Sequence, residues 1–379
     1  MSNRDIANAK AAKNDEFYTQ YHDIEIEVNA YLEYDPDVFR GKTVLLPCDD
    51  PEWSNFTKFF AQKFEVLGLK KLISTSFAPD SKKYKYGYQP SLFEEQNPNF
   101  DISKTQTHGK IFVLERDNTG DGRIDYQDIE WQYLEGDGDF RSKEVCKLRD
   151  EADIIVTNPP FSLFREFLAW ILAAEKKFLI IGNMNAIGYM GVFPLIKNNN
   201  IWLGATGFAN DMVFGVPKGT IVNPSDKAKA ERLGYIGNYT RLGNSCWFTN
   251  IDHGRRHQPL SLMTMAENLR FSRHKDLKGR EDYIHYENYD AIEVPYVDAI
   301  PSDYEGVMGV PRSFLDKYCP EQFEIVGCAE GESGRVLGLK PYPRELKKLN
   351  PSLRDGQLYY IEDGRPEKPY ARLLIRKKQ

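Results

Sequence analysis

Cysteine and histidine are scarce in this chain, and their spacing builds no covalent or metal framework. Its 379 residues include 5 cysteines and 6 histidines. The cysteines are odd in number, lack paired spacing and stand at Cys48, Cys146, Cys246, Cys319 and Cys328. His253 and His257 are close in sequence, but Gly254 and Pro259 argue against a helix that would aim both rings at one ion. We therefore predict neither a disulfide framework nor a metal site.

Long hydrophobic runs are also missing. No apolar stretch is long enough to span a bilayer, and the first residues lack the apolar core of a signal peptide. Hydrophobic residues make up 41% of the chain and charged residues 28%, as is usual for globular proteins. We expect a cytoplasmic, monomeric protein that does not contact a membrane and that is large enough to form two lobes.

The chain has no excess of positive charge. It carries 50 Lys and Arg residues against 56 Asp and Glu residues, a formal net charge of −6. Proteins that bind nucleic acids are usually basic overall. An enzyme that acts on DNA would therefore have to concentrate its positive charge locally.

What the chain does contain is a short apolar run that ends abruptly. Residues 153–157 are mostly apolar and β-branched, and the run is too short for a helix, so we predict a buried strand of a parallel sheet. The tetrapeptide Asn-Pro-Pro-Phe follows at 158–161. Ser162 then precedes apolar residues at helical spacing, which predicts a helix over 162–172 with Ser162 as its N-cap. In open α/β sheets, ligands bind at such turns between strand and helix.

The chemistry of this turn suits an amino group. Pro159 and Pro160 fix φ at about −65° and remove two backbone donors. The Asn158 side-chain oxygen and the Pro159 carbonyl can accept both hydrogens of one exocyclic amino group, and the Phe161 ring can stack on a planar base. We interpret Asn158, Pro159, Pro160 and Phe161 as catalytic residues for an extruded adenine. The alternative is a strand that ends at proline, followed by a buried Phe.

Further segments of the chain form a recognisable set together with Asn-Pro-Pro-Phe. They are 13–20, Lys-Asn-Asp-Glu-Phe-Tyr-Thr-Gln; 48–51, Cys-Asp-Asp-Pro; 54–56, Ser-Asn-Phe; 136–142, Gly-Asp-Gly-Asp-Phe-Arg-Ser; and 247–250, Trp-Phe-Thr-Asn. Together they resemble the EcoRI-type family of adenine-specific (N6) DNA methyltransferases over nearly the whole chain. The resemblance implies an α/β fold, with a Rossmann-like class I S-adenosylmethionine-dependent methyltransferase core and a C-terminal DNA-recognition region. It suggests a cofactor-covering segment at 1–40, a catalytic core at 41–254 and a target-recognition region at 255–379.

The same resemblance implies an activity. The protein would transfer the methyl group of S-adenosylmethionine to the amino group of an adenine flipped out of double-stranded DNA, in a restriction-modification system with a cognate endonuclease. Two alternatives stay open, because the central motif is shared more widely. They are a methyltransferase that acts on RNA or protein glutamine, and a catalytically silent DNA-binding module.

The residues expected at the cofactor have two sources. From the residues themselves, the loop after a predicted first strand supplies carboxylates and amides that can pair with the ammonium group of the cofactor. Taken alone, its Asp-Asp pair also fits a solvated turn or a helix N-cap. This loop contributes Pro47, Cys48, Asp49 and Asn55. The resemblance adds Phe17, Tyr18, Thr19, Asp139, Phe140 and Asn158. The next strand lacks the acidic residue that usually holds a ribose, so the ribose partner is unassigned.

Basic residues concentrate after residue 254, with few acids among them. Such a patch is typical of contacts to phosphates. The predicted DNA-binding residues are Arg255, Arg256, Arg270, Arg273 and Lys275. The alternative is a solvated basic loop. A Lys-Tyr alternation over 82–88 fits a nucleic-acid groove and an exposed hairpin equally well.

Residues 117–128 imitate a calcium loop. Acidic residues stand at relative positions 1, 5, 9 and 12 with Gly at 6, but Thr occupies position 3, Asp replaces the bidentate Glu, and the preceding run reads as a strand. We predict a glycine-turned hairpin and no calcium requirement.

The other predicted strands of the core cover 43–47, 72–77, 110–115, 178–183 and 245–250, and the other predicted helices cover 22–34 and 53–67.

Overall fold

Two compact units make up the chain. The computed structural model describes residues 17–50, 54–79, 95, 97–208, 212–216 and 220–378. The first unit combines Met1–Met184 with Gly204–Asp252, and the second combines Asn185–Leu203 with His253–Gln379. Segment 185–203 thus belongs to the second unit, whereas the sequence analysis included it in the range 41–254. The Lys-Tyr alternation at 82–88 and the resemblance at 13–16 lie outside the described residues.

The strands of the described residues are mostly short. In chain order they are β1 (Tyr18–Thr19), β2 (Thr43–Leu46), β3 (Lys71–Ser76), β4 (Lys110–Leu114), β5 (Glu130–Tyr133), β6 (Ile154–Thr157), β7 (Lys177–Asn183), β8 (Trp202–Leu203), β9 (Val213–Gly215), β10 (Tyr239–Arg241), β11 (Ser245–Thr249), β12 (Ile292–Glu293), β13 (Met308–Pro311), β14 (Phe323–Ala329), β15 (Tyr360–Glu362), β16 (Arg365–Glu367) and β17 (Arg372–Lys377).

The α-helices lie mainly between the strands of the first unit. They are α1 (Tyr21–Tyr34), α2 (Asn55–Gln62), α3 (Phe64–Leu67), α4 (Lys143–Glu151), α5 (Phe164–Leu172), α6 (Phe193–Lys197), α7 (Pro224–Arg232), α8 (Met265–Phe271), α9 (Gly331–Val336) and α10 (Leu346–Leu349). None of these described helices combines the length and the apolar composition that crossing a lipid bilayer requires.

The large sheet of the first unit is mixed. The strands of this unit follow the spatial order β5-β4-β3-β2-β6-β7-β11. Strands β3, β2, β6 and β7 are parallel, whereas β4, β5 and β11 each run antiparallel to a neighbour. Every residue of β2 and β6 is buried, which explains their unbroken apolar sequences. The strands predicted at 43–47, 72–77, 110–115, 153–157, 178–183 and 245–250 are confirmed.

The order of the sheet reverses between β2 and β6. The chain passes from β2 outward to β3 on one side, and from β6 outward to β7 on the other. Leu45 lies beside Ile155 in the ladder, so β2 and β6 end at the same edge. Open α/β sheets bind their ligands in the crevice at the carboxyl ends of such a pair. The fold therefore brings Pro47 and Asn158, which follow these two strands, to a binding edge.

The turn after β6 differs from the prediction. Residues Phe161–Leu163 form a 3₁₀ turn, and α5 begins only at Phe164, with Leu163 as N-cap and no side-chain cap. The Leu163 amide donates to the Pro160 carbonyl over 2.9 Å, so the chain leaves the two prolines in a tight turn before it widens into an α-helix. The predicted N-cap role of Ser162 is wrong for this reason.

The two other predicted helices are present. Helix α1 buries Ile24 and Val28 on one face, as the periodicity of 22–34 indicates. The segment predicted as one helix over 53–67 consists of α2 and α3, which are separated at Lys63. The Ser54 hydroxyl caps α2 by accepting from the Phe56 amide over 3.1 Å. Residues 51–53 lie outside the described part.

The loop 117–128 joins β4 and β5, whose antiparallel pairing confirms the predicted hairpin. The Asp117 carboxylate accepts from the amides of Gly120 and Gly122 over 2.5 and 2.8 Å. The Asp128 carboxylate accepts from the Thr119 amide over 2.8 Å. These carboxylates hold the backbone of the loop itself. Within the described ranges, no three His, Cys, Asp or Glu side chains are grouped to hold a metal ion. That the protein does not require calcium stays a prediction.

The second unit has its own sheet, with the spatial order β12-β13-β17-β14. A buried ion pair joins two of its strands, because Arg372 Nη2 lies 2.5 Å from Glu293 Oε1. The Tyr286 hydroxyl donates to the same carboxylate. Loss of either charged partner would leave a buried, unpaired charge, so this pair constrains how β12 and β17 pack.

Candidate active site

An open cavity of the first unit lies at the carboxyl ends of β2, β3 and β6. Its empty volume, counted out to the solvent, is about 1040 Å³. Its walls come from Phe17, Tyr18, Thr19, Pro47, Cys48, Asp49, Asp50, Ser54, Asn55, Phe56, Ser76, Phe77, Gly138, Asp139, Phe140, Asn158, Pro160 and Leu163. Every residue that we predicted for the cofactor site borders this cavity.

The side-chain amide of Asn158 makes a hydrogen bond through its nitrogen and none through its oxygen among the described residues. Its Nδ2 donates to the backbone carbonyl of Phe17 over 2.8 Å. Since a carbonyl can only accept, this bond also assigns the orientation of the amide. The Oδ1 atom is buried and accepts no hydrogen bond from the described residues. A buried acceptor without a partner costs about 1–3 kcal/mol, so its persistence beside a cavity indicates a role in ligand binding.

Asp49 lies on the floor of the cavity and is buried. Its Oδ1 accepts from the Ser54 hydroxyl over 2.7 Å, and its Oδ2 accepts from the Thr157 hydroxyl over 2.6 Å. Burial raises the pKa of Asp49 to about 6, and the negative charge of Asp50 adds to the rise, while the two hydroxyl hydrogen bonds oppose it. The carboxylate therefore already has two donors before any ligand is considered.

The segment before α1 forms one wall. Strand β1 pairs with β9, and the Thr19 carbonyl accepts from Asn55 Nδ2 over 2.8 Å. The Thr19 hydroxyl is buried and has no hydrogen-bond partner among the described residues. The wall thus presents a second polar atom, besides Asn158 Oδ1, that a ligand could satisfy.

Asp139 carries its negative charge at the opposite wall. The Arg141 side chain donates to both of its oxygens, with Nε at 2.9 Å and Nη2 at 2.6 Å. These hydrogen bonds hold the pKa of Asp139 below its usual range. The neighbouring Phe140 ring is buried and packs edge-on against Phe167 at 5.0 Å between centroids. The wall therefore combines an ionised acceptor with a fixed aromatic ring.

Comparison with known proteins decides the family. The model of the family described as adenine-specific methyltransferase EcoRI matches residues 5–378. This chain belongs to that family. It is 40% identical over 351 residues to the Type II methyltransferase M.EcoRI of Escherichia coli, which covers 92% of this chain and 97% of the relative. It is 35% identical over 321 residues to the Type II methyltransferase M.MpnI of Mycoplasma pneumoniae, which covers 84% of each. No solved structure matches the chain.

Membership has a direct consequence for function. The protein is a DNA adenine methyltransferase, and it needs a methyl donor. A third relative, the Type II methyltransferase M.MgeORF184P of Mycoplasma genitalium, is 32% identical over 372 residues and covers 98% of both chains. The alternatives that stayed open in the sequence analysis, an RNA or glutamine substrate and a silent binding module, are therefore not retained.

Two of the predicted catalytic residues of this methyltransferase do not border the cavity, namely Pro159 and Phe161. The Phe161 ring stacks on the Phe17 ring, with centroids 5.5 Å apart and planes inclined by 28°. It also makes a T-shaped contact with the Phe214 ring, with centroids 6.5 Å apart. One face of Phe161 is thus already occupied by Phe17, so a base could stack only on the other face or after Phe17 moves.

Several residues at this cavity were missed by the sequence analysis. They are Phe56, Ser76, Phe77, Gly138, Thr157 and Leu163. Gly138 has a positive φ of 84°, and a Cβ at this position would collide with the Ser76 carbonyl oxygen, so only glycine fits. The sequence offered one usable signal, the position of Ser76 and Thr157 at the ends of apolar strands. It did not indicate which side chains these residues contact.

The predicted DNA-binding residues fall into two groups. Arg256 is 7% exposed, lies 3.8 Å above the Trp202 ring and donates to Asn199. Arg255 donates to Asp316 over 2.6 Å. These contacts engage both guanidinium groups within the second unit, and their role as phosphate contacts stays a prediction.

The second group is exposed. Arg270, Arg273 and Lys275 lie at the end of α8 and just beyond it, and all three are exposed. Arg273 pairs with Asp298 over 2.9 Å, but its side chain remains 79% exposed. Exposed pairs of this kind contribute little and can exchange partners. We retain these three residues as the candidate phosphate contacts of the methyltransferase.

Proposed function

We propose that this methyltransferase transfers the methyl group of S-adenosylmethionine directly to N6 of an adenine that has been flipped out of double-stranded DNA. The observation that carries the proposal is the buried Asn158 Oδ1, an acceptor without a partner among the described residues, at the edge of the cavity. An adenine amino group would supply the missing donor. We further infer that the first unit is a Rossmann-like class I core, which is supported by its parallel strands β3, β2, β6 and β7.

The cavity has the chemistry that S-adenosylmethionine needs. Its residues offer an ionised carboxylate at Asp139 and, at Thr19, a hydroxyl that has no partner among the described residues. Such groups suit the amino, carboxylate and ammonium groups of the cofactor. S-adenosylmethionine would supply a methyl group bound to a sulfonium sulfur, and this sulfur is already a good leaving group. The chain would therefore contribute binding and orientation, without a covalent intermediate.

The role of the turn follows from the electronic structure of adenine. The lone pair of N6 is delocalised into the ring, so the amino group is a weak nucleophile. Acceptors at Asn158 Oδ1 and at the Pro159 carbonyl would hold both amino hydrogens and favour a more localised lone pair aimed at the methyl group. The bond from Asn158 Nδ2 to the Phe17 carbonyl fixes the acceptor in advance. Catalysis of this kind depends on orientation and on stronger bonding in the transition state.

The target base must leave the duplex before it can reach the cavity. We propose that exposed Arg270, Arg273 and Lys275 contact phosphates, and that the second unit forms the target-recognition region. The same proposal includes a monomeric enzyme, which sedimentation would test, and a cognate restriction endonuclease that cuts the unmethylated target.

The substrate test is direct. Purified protein should transfer label from S-adenosylmethionine to double-stranded DNA, and nucleoside analysis should locate the label on N6 of adenine. Sequencing of modified bases in DNA from cells that express the protein should show one target sequence. DNA that is already methylated at this target is the matched control and should accept no label. Label on RNA, on a glutamine peptide or on cytosine instead would refute the proposal.

A further inference from the structure

The carboxylate of Asp49 connects two strands that the chain places far apart. Asp49 follows β2, whereas Thr157, the last residue of β6, lies 108 positions later and donates to Asp49 Oδ2 over 2.6 Å. Both side chains are buried, with 6% and 0% exposure. The residue after Thr157 is Asn158. The bridge therefore ends one peptide unit from the acceptor that the proposed mechanism uses.

Asp49 itself is held from several sides. Its amide donates to the Thr75 carbonyl over 2.9 Å, and its carbonyl accepts from the Thr57 hydroxyl over 3.2 Å and from the Ser74 hydroxyl. Its other carboxylate oxygen accepts from Ser54. A residue fixed in this way by β3 and α2 has little freedom to turn its carboxylate toward a ligand. It is well placed to hold a neighbouring strand.

We propose that Asp49 is a positioning residue for methyl transfer, which acts through the Thr157 hydroxyl to fix the end of β6 and thereby the direction of Asn158. The inference rests on the proposed function, in which Asn158 orients the target amino group. Successive side chains in a strand point to opposite faces, so anchoring the Thr157 side chain sets the peptide that carries Asn158. Because Asp49 also borders the cofactor cavity, the bridge couples the cofactor side of the site to the catalytic turn.

The coupling has a specific consequence. When a cofactor binds beside Asp49, the hydroxyl bridge should carry the added protection to the catalytic turn. A change that keeps the shape of Thr157 but removes its hydroxyl should break this link, and a change that keeps the hydroxyl should preserve it. Thr157→Val and Thr157→Ser are these two changes.

A matched control exists in the same sheet. The Thr249 hydroxyl of β11 is buried and donates to the Phe178 carbonyl over 2.7 Å. Thr249 does not border the cavity. The same hydroxyl accepts from the Ile251 amide over 2.9 Å. Thr249→Val therefore removes two buried hydrogen bonds without touching the bridge, so it reports at least the structural cost of such a change.

The experiment compares these variants of the full chain in two ways. Hydrogen exchange of the peptide that spans Asn158 to Leu163 is measured with and without S-adenosylhomocysteine, and single-turnover methyl transfer is measured at saturating cofactor and DNA. Thr157→Val should keep only part of the protection that S-adenosylhomocysteine gives this peptide, because Asn158 and Leu163 border the cavity themselves. It should also transfer roughly tenfold to a hundredfold more slowly, since small misplacements of a reacting group cost that much. Thr157→Ser and Thr249→Val should keep both. If Thr157→Val does not fold, Thr157→Ala takes its place.

The outcomes separate the two proposals. Normal protection and a parental rate in Thr157→Val would overturn the positioning role of Asp49. A weaker affinity for S-adenosylhomocysteine in Asp49→Asn, with Thr157→Val unaffected in every measurement, would also overturn it and would assign Asp49 to direct cofactor binding. If the parent protein transfers no label to DNA adenine, the proposed function fails, while the exchange measurement still decides whether the bridge exists.

Discussion

Asn158 Nδ2 donates to the backbone carbonyl of Phe17 over 2.8 Å, although the two residues are 141 positions apart in the chain. The bond uses an N–H of the side-chain amide. The carbonyl oxygen of that amide, Oδ1, has no partner among the described residues. The side chain that we propose as the acceptor for the substrate amino group is thereby held by a group that cannot compete for the same atom. The segment before α1 therefore helps to hold the proposed catalytic turn, in addition to forming a wall of the cavity.

Asn158→Ala should chiefly slow the chemical step. The variant loses the acceptor for the target amino group, but the other cavity walls stay in place, so cofactor and DNA should bind with nearly parental affinity. Loss of one preoriented hydrogen-bonding group typically lowers the rate on the order of a hundredfold to a thousandfold. Single-turnover transfer, measured beside both affinities, checks this. A variant that transfers at the parental rate would place the active site elsewhere.

Phe161→Ala should weaken engagement of the target base. Base stacking on an aromatic ring contributes about 1–3 kcal/mol, which corresponds to roughly a tenfold to hundredfold loss, and Phe161→Tyr should be tolerated because it keeps the ring. The ring also stacks on Phe17. Phe17→Ala is therefore the control, since it removes that contact and leaves the Phe161 ring in place. Phe17 also borders the cofactor cavity, so the comparison uses DNA affinity measured without cofactor. Equal losses of that affinity in both variants would show that Phe161 matters only as a packing partner of Phe17.

The exposed basic residues should control the salt dependence of DNA binding. Neutralising Arg270 or Lys275 should weaken binding to all DNA sequences and reduce the slope of log affinity against log salt by about one unit for each lost phosphate contact. Arg256→Gln is the contrasting variant, because this guanidinium packs over Trp202 and is 7% exposed. It should lower the melting temperature and leave the slope unchanged. Parental slopes for Arg270 and Lys275 variants would move the DNA surface to another part of the protein.

Asp49 should make stability depend on pH in an unusual direction for a carboxylate. Burial raises its pKa to about 6 in the folded protein, whereas an unfolded chain would titrate at about 3.9. Below about pH 4 the carboxyl group is protonated in both the folded and the unfolded protein, so it does not change the free energy of unfolding. As the pH rises from about 4 to about 6, the unfolded protein loses this proton more readily, and the folded protein becomes less stable. The shift of about 2 units corresponds to at most about 3 kcal/mol. Urea unfolding at pH 4 and pH 7 should show a smaller loss in Asp49→Asn than in the parent, and an identical loss in both proteins would contradict this origin of the raised pKa.

The sequence by itself determined the local elements around the site. Residues 154–157 are apolar, few and followed by two prolines, so only a short buried strand with a rigid exit fits them. The acceptor at Asn158 and its position after a strand followed from the same few residues. The resemblance of the segments around Phe17 and Asp139 to the family then indicated the other residues that line the cavity. These features could be predicted because they depend on neighbours in the chain.

Only the tertiary structure decided what these residues contact. Charge alone made Arg256 and Arg270 equivalent, yet one is buried against Trp202 and the other is exposed, because burial depends on segments distant in sequence. The sequence analysis placed Asp49 at a ligand, whereas the fold gives it two hydroxyl partners, one of them Thr157 from another strand. The bond between Asn158 and Phe17 likewise requires the residue before β1 to lie against the residue after β6. Such pairings depend on the spatial order of the strands in the fold, and no local pattern of residues encodes that order.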